Sequence, residues 1–435
     1  MNPFLYCLFI SIIFTSDQIP APPQSQPILL KRGDIYTVSQ GILTNSDILF
    51  EKGIITQIAK NIQPPENTQV IEAAGKHIYP GLISAISTLG LQEIGAVRAT
   101  RDYAETGSMN PNVRANVSYN PDSELIPISR SNGILLANSV PRSGRISGMS
   151  SLMMLDGWTW EDASLKDTVA LHIFWPSMKQ TKPGKKKKKK DKDKKDSRLE
   201  SIQELDDFFK DARAYHKLKS SNSPSFKTDL KLESMEPFIN GRLPLIIHAN
   251  EVRQIEAAVF WAERNNVNMI LAGGKDSWRV IPLLKEKNIP VIYTQTHSQP
   301  SRRFEEFDQS YKTPLMLYEG GVKYCISNSE SPFQTPHIRN LPYHAAKAGS
   351  YDLPWSEALR SVTLSTAEIL GIADRVGSLE TGKEATLFIA DGDILEVRTT
   401  VETAFIQGRI IDLTDRHKDL YEKYQEKYRQ KGLLD

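Results

Sequence analysis

Strands and helices alternate in the second half of the chain, and that rhythm limits the fold more than any other feature. "LPLIIHAN" is a buried-strand run, and "EVRQIEAAVFWAERNN" follows it with Val252, Ile255, Val259 and Ala262 on one helical face. Strand "VNMILAGG", helix "SWRVIPLLKEKN", strand "IPVIYTQ", helix "TPLMLYEGG" and strand "VKYCISN" continue the pattern. Such βαβα order predicts parallel strands with helical crossovers. Two β-rich pieces flank this region: residues 28–78, whose short Ile/Leu/Val/Thr runs are cut by Gly, Asn and Asp turns, and residues 377–413. A closed barrel and a doubly wound open sheet both satisfy the alternation.

Residues 79–376 suit a barrel with insertions. One insertion, residues 178–200, holds the run "KKKKKKDKDKK". Nine Lys and two Asp give that run a local charge of +7, against +2 for all 435 residues. The remainder is therefore near −5, which argues against a nucleic-acid groove in the folded body. The run reads as a solvated loop, with contact to anionic surfaces as the functional alternative. Residues 414–435 read as a charged surface helix. Residues 1–27 read as a signal peptide and linker: residues 4–14 are an apolar run too short to span a bilayer, and Pro-rich sequence follows. Export, to the periplasm of a double-membraned cell, is the expectation. Two cysteines, Cys7 and Cys325, exclude a disulfide framework.

Two segments carry a family resemblance. "VIEAAGKHIYPGLI" resembles the passage from the β-sandwich into the first barrel strand of the amidohydrolase superfamily. "SVTLSTAEILGIADRVGSLETGKEATLFIADGD" resembles the family's return from the last barrel helix to that sandwich. The likeness spans about residues 28–413 and is strongest to imidazolonepropionase-like exported amidohydrolases. It implies an α/β fold, a (β/α)8 TIM-like barrel with a β-sandwich domain formed by N- and C-terminal segments. It implies hydrolysis of C–N bonds in non-peptide or cyclic amides by metal-activated water. Gly81, Gly371, Gly377 and Gly382 read as scaffold turns and caps.

The same resemblance implies metal ligands at strand ends: His-x-His after strand 1, Lys or Glu on strand 4, His on strands 5 and 6, Asp on strand 8. Here the first pair falls on Ile86 and Thr88, which are not ligands. Strand 5 keeps His248. Strand 6 offers Gly274 or Lys275, and strand 8 offers Asn328 or Ser329. Strand 4 supplies His172 but no Lys or Glu in register. His248, Lys275 and Asn328 are the catalytic candidates. His172, Arg98, Arg101, His297 and Arg339 are the ligand-binding candidates, with Glu330, His337 and His344 nearby. No ion is expected at full occupancy; a single zinc on His248 is the remaining option. The segment "PRSGRISGMSSLMMLDGWTW" reads as a glycine-rich loop with Trp158 and Trp160 packing below. Its Ser150 and Ser151 lack a nucleophile elbow. Three functions follow: a hydrolase with an altered site, a protein binding a small-molecule or peptide-like ligand in the barrel mouth, or a subunit of an intact amidohydrolase paralogue.

Overall fold

The computed structural model describes residues 18–179, 197–221 and 226–434. The apolar leader core and the lysine run lie outside the described residues.

The chain's two ends meet in one eight-stranded sheet. Ile28–Tyr36, Ile42–Glu51, Ile54–Ala59, Gln69–Glu72 and His77–Pro80 come from the front; Leu387–Ala390, Val401–Ile406 and Arg409–Ile411 come from the back. The seam is the antiparallel pairing of His77–Pro80 with Leu387–Ala390. Apolar residues of both halves share one cluster that includes Ile35, Ile48, Phe50, Ile78, Leu387 and Phe405. Phe50 and Phe405 meet edge to face at 5.1 Å. Each such side chain contributes about 1.5–3 kcal/mol when removed from water. Neither half covers its own apolar face alone, which is why residues far apart in sequence form one layer.

Eight strands make the wall of an α/β barrel. In order they are Leu82–Ser87, Ile134–Ser139, a third in two pieces (Ile146–Met149 and Ser151–Met154), Leu171–Phe174, Leu245–Ala249, Met269–Gly273, Val291–Tyr293 and Tyr324–Ile326. Strands 4 to 8 pair in parallel, as do strands 1 and 2. Strand 3 runs the other way. Its second piece pairs antiparallel with strand 2, and its first piece pairs antiparallel with strand 4. The cause is connection length. Only residues 140–145 join strands 2 and 3, whereas a parallel crossover takes about a dozen or more residues. The parallel βα order expected throughout the barrel therefore fails on both sides of strand 3.

This also corrects the reading of "PRSGRISGMSSLMMLDGWTW" as a loop: its middle, Ile146–Met149 and Ser151–Met154, is strand 3. Gly148 sits at φ 130°, and a Cβ there would lie 2.7 Å from the Val113 carbonyl oxygen. Trp158 does not pack below the segment, since it is 64% exposed. Strand 8 meets strand 1 through a side chain, the Ile86 N–H donating to Ser327 Oγ at 3.1 Å.

Helices Val252–Arg264, Gln309–Glu319 and Leu364–Leu370 follow strands 5, 7 and 8. The first buries Ile255, Ala258, Val259, Trp261 and Ala262, the face its apolar spacing predicts. Gly371 closes Leu364–Leu370 in the left-handed conformation, at φ 66°.

Candidate functional site in the barrel mouth

Strand 5 is buried along its whole length, and its penultimate residue is a histidine that faces its neighbours across the wall. His248 is level with Phe174 on strand 4 and with Ala272 on strand 6. Side chains level with each other on parallel strands point to the same face. The Phe174 ring accordingly stacks on the His248 imidazole, 4.1 Å between centroids and 10° from parallel. His172 lies two residues earlier on strand 4, on that same face but one layer deeper. Its Nδ1 is 2.9 Å from His248 Nε2.

The other ring nitrogen of His248 faces an acid. Glu330, four residues beyond strand 8, places Oε2 3.5 Å from His248 Nδ1. Arg142, from the short turn before strand 3, lies 3.9 Å from Glu330 Oε1. Side-chain exposure falls along this line, from 44% at Arg142 to 19% at Glu330 and 7% at His248. His172 is fully enclosed. The line therefore runs from the rim into the wall of the barrel.

Burial alone would push the Glu330 carboxyl up, but the charge and hydrogen bonding of His248, with Arg142, outweigh it and hold the group at about 2. Glu330 is thus an ionised acceptor at neutral pH. Burial pushes His172 well down, and the neighbouring His248 adds to this, so His172 is neutral. Glu330 accepts the His248 Nδ1–H, and one hydrogen is shared between His248 Nε2 and His172 Nδ1. His172 Nε2 is a buried atom with no hydrogen-bond partner among the described residues.

The positions at which the resemblance implies ion ligands are engaged as follows. Ile86 is buried and apolar. The Thr88 hydroxyl is taken by Thr335 Oγ1 at 2.5 Å. Gly274 has no side chain, and the Lys275 ammonium donates to the Gln299 carbonyl at 2.6 Å. Asn328 Nδ2 donates to the His337 carbonyl at 3.3 Å and lies 3.5 Å from His344 Nε2. His172 and Glu330 occupy opposite nitrogens of the His248 ring, so they cannot share an ion bound to either one. Among the described residues no three His, Cys, Asp or Glu side chains converge as an ion cage, and a catalytic zinc uses about three protein ligands plus water.

Of the residues singled out from sequence, His172 and His248 come together in the line with Glu330. Asn328, His344 and His297 form a second group, with the His297 and His344 rings crossed at 4.4 Å. Burial and His297 push His344 down to about 3, while burial and Lys347 lower His297. The rest bond elsewhere. Arg98 donates to the Arg101 carbonyl at 3.2 Å on an exposed loop, and Arg101 pairs with Gln92. Arg339 meets His417 at 2.6 Å, against the C-terminal helix Arg416–Gln430. Ser151 Oγ donates to the Asp167 carbonyl, and Ser150 Oγ has no partner among the described residues, so neither serine has a base. Sequence reasoning missed Phe174 and Arg142. The two-residue period from His172 marks Phe174, whereas nothing local marks Arg142.

A sequence profile described as "Amidohydrolase family" matches residues 324–411. The structure is similar to that of an amidohydrolase from Thermotoga maritima MSB8, at 25% identity and a TM-score of 0.78, over 88% of this chain and 99% of that one. Amidohydrolase tasK of Hapsidospora irregularis is 21% identical over 392 residues, which are 83% of this chain but 39% of tasK. Dihydropyrimidinase of Dictyostelium discoideum is 38% identical over 74 residues, 17% of this chain and 14% of that enzyme. The chain thus spans well under two thirds of the length of these curated relatives.

Proposed function

Because the chain belongs to the amidohydrolase superfamily at large, we propose that it hydrolyses a C–N bond in a small non-peptide or cyclic amide at the barrel mouth. The line Glu330–His248–His172 would stand in for an ion-bound water. The observation that supports this reading is a buried imidazole pair held against an ionised carboxylate at the strand ends, where barrel active sites sit. Glu330 is the member that solvent reaches, so a water on its outer oxygen is the nucleophile. As the water oxygen attacks the carbonyl carbon, its proton passes to the Glu330 carboxylate, which His248 and Arg142 hold in place. The Glu330 carboxyl returns the proton to the leaving nitrogen as the C–N bond breaks. Positioned acid–base groups of this kind contribute typically 10²- to 10⁴-fold in rate.

The test is turnover of a panel of cyclic amides and N-acyl compounds before and after exhaustive chelation. Activity that survives chelation and drops by about 10²-fold or more in His248→Asn and Glu330→Gln supports the reading. Activity lost on chelation and restored by zinc sinks it. The finer likeness to imidazolonepropionase-like enzymes makes five-membered cyclic amides the first compounds to try. The leader's apolar core extends the proposal to export, with the periplasm as the working compartment.

A second reading, a ligand-binding protein or a non-catalytic subunit beside an intact amidohydrolase, is favoured by one observation. Apolar Ile86 and the hydroxyl-paired Thr88 occupy the strand 1 ligand positions. Co-purification of a metal-loaded homologue with an inactive chain would establish it.

A further inference from the structure

A cavity of about 360 Å³ opens beyond the ends of strands 4 to 7, and none of the four groups of the histidine line borders it. Its wall combines Met178 and Lys179 after strand 4, Val252 and Arg253 after strand 5, Arg279 after strand 6 and Arg302 after strand 7. One acid, Glu251, completes the lining. Four cations against one acid is an unusual wall, and the pairing of each cation decides what it can do.

Two of the cations are already neutralised. Lys179 Nζ sits 2.5 Å from Glu251. Arg302 is held by Asp276 at 2.5 Å and also by Glu305. Those bonds brace the loop after strand 7 against the strand 6 turn and fix one side of the cavity. Arg253 and Arg279 differ: neither has a carboxylate within 4 Å among the described residues. The Arg279 guanidinium lies 5.5 Å from the ring of its neighbour Trp278, and its charge reaches Asp276, whose carboxylate is already bonded to Arg302. Met178 and Val252 add apolar surface beside these two charges.

We propose that this cavity binds a small organic acid, with Arg253 and Arg279 taking the carboxylate and Met178 and Val252 packing against an apolar body. Guanidinium groups suit this role because their forked donors match the two carboxylate oxygens. Such a site beside the mouth makes the substrate an amide that also carries a carboxylate. That extension to substrate class rests on the hydrolase reading; the binding site does not.

The probe is benzoate, with isosteric, uncharged benzamide as the control, titrated calorimetrically into the full chain. Benzoate is expected to bind saturably, more weakly as salt rises, and benzamide not to bind. Arg253→Ala/Arg279→Ala should weaken benzoate binding by about tenfold or more. Both arginines are exposed, so the melting temperature of this variant should match that of the parent. Equal binding of benzoate and benzamide, unchanged affinity in the double variant, or no saturable binding each overturns the proposal. His248→Asn should leave benzoate affinity unchanged, so the anion site and the hydrolase reading fail separately.

Discussion

Asp156 is the point at which removing one carboxylate should do most damage. It follows strand 3, and its side chain is 1% exposed. Oδ1 pairs with Arg130 at 3.3 Å, and Oδ2 pairs with Arg409 at 2.8 Å. Oδ2 also accepts the Ala21 N–H at 3.2 Å. One carboxylate thus ties together the helix Leu125–Arg130, the last strand of the eight-stranded sheet and the segment entering the fold. Asp156→Ala leaves a 4%-exposed Arg130 without its counter-charge. Breaking a buried pair from one side costs about 3–5 kcal/mol. Arg130 keeps the Leu155 carbonyl at 3.2 Å, and Arg409 is 16% exposed, so the lower end of that range applies. An unfolding entropy of about 2.1 cal/mol/K per residue makes the melting temperature fall by roughly 3 °C if the chain melts as one unit. Differential scanning calorimetry measures that shift. Limited proteolysis should show cleavage around residues 18–27 rising first, because they lose their anchor. Adding Arg130→Met should recover part of the loss by removing the stranded charge. A melting shift under about 1 °C, with no recovery in the double variant, would refute the reasoning.

Other tests follow from the same geometry. The Glu330 carboxyl is held at about 2, below its ordinary range, so its contribution is complete above about pH 4.5 and lost as pH falls toward 2. Urea titrations of Glu330→Gln should show a flatter stability profile in that acidic window alone. His344, held at about 3, acts at higher pH: the unfolded chain takes up its proton below about pH 6.5 and the folded chain does not, so stability falls as pH drops from there. His344→Asn should reduce that slope between about pH 6.5 and 4.5, the remainder belonging to His172 and His297, which are lowered in the same sense. Phe174→Ala removes a ring stacked on His248 and should cost about 1–3 kcal/mol. A new or broadened His248 side-chain NMR resonance would show the imidazole released, and an unchanged spectrum would show that the stacking does not hold it.

Much of the barrel was legible because apolar spacing reports which face of an element is buried. Leu245–Ala249 and Val252–Arg264 stand where their patterns place them. Strand 3 was not legible as a reversed strand. Its apolar run suits either direction, and direction follows from a six-residue connection whose ends are known only when strands 2 and 4 are in place. His248 could be found from its position near a strand end. Its pairing with His172 depended on the register of strand 4, one layer lower than a level partner would be. Arg142 and Glu330 are 188 positions apart in the chain, and no local pattern joins them. Arg339 stood near the strand 8 end in sequence, yet the fold turns it toward His417.

The amino-acid sequence by itself determined the layered composition of this protein: β-rich ends, an alternating middle and a first barrel strand that closes on Ile86 and Thr88. These follow from side-chain chemistry and period, which act over a few residues. The tertiary structure alone decided which nitrogen of His248 meets which partner, which arginines keep a free charge, and which way strand 3 runs. Those outcomes depend on distances between segments remote in the chain, set only when strand register and loop closure bring them within hydrogen-bonding or Coulombic reach.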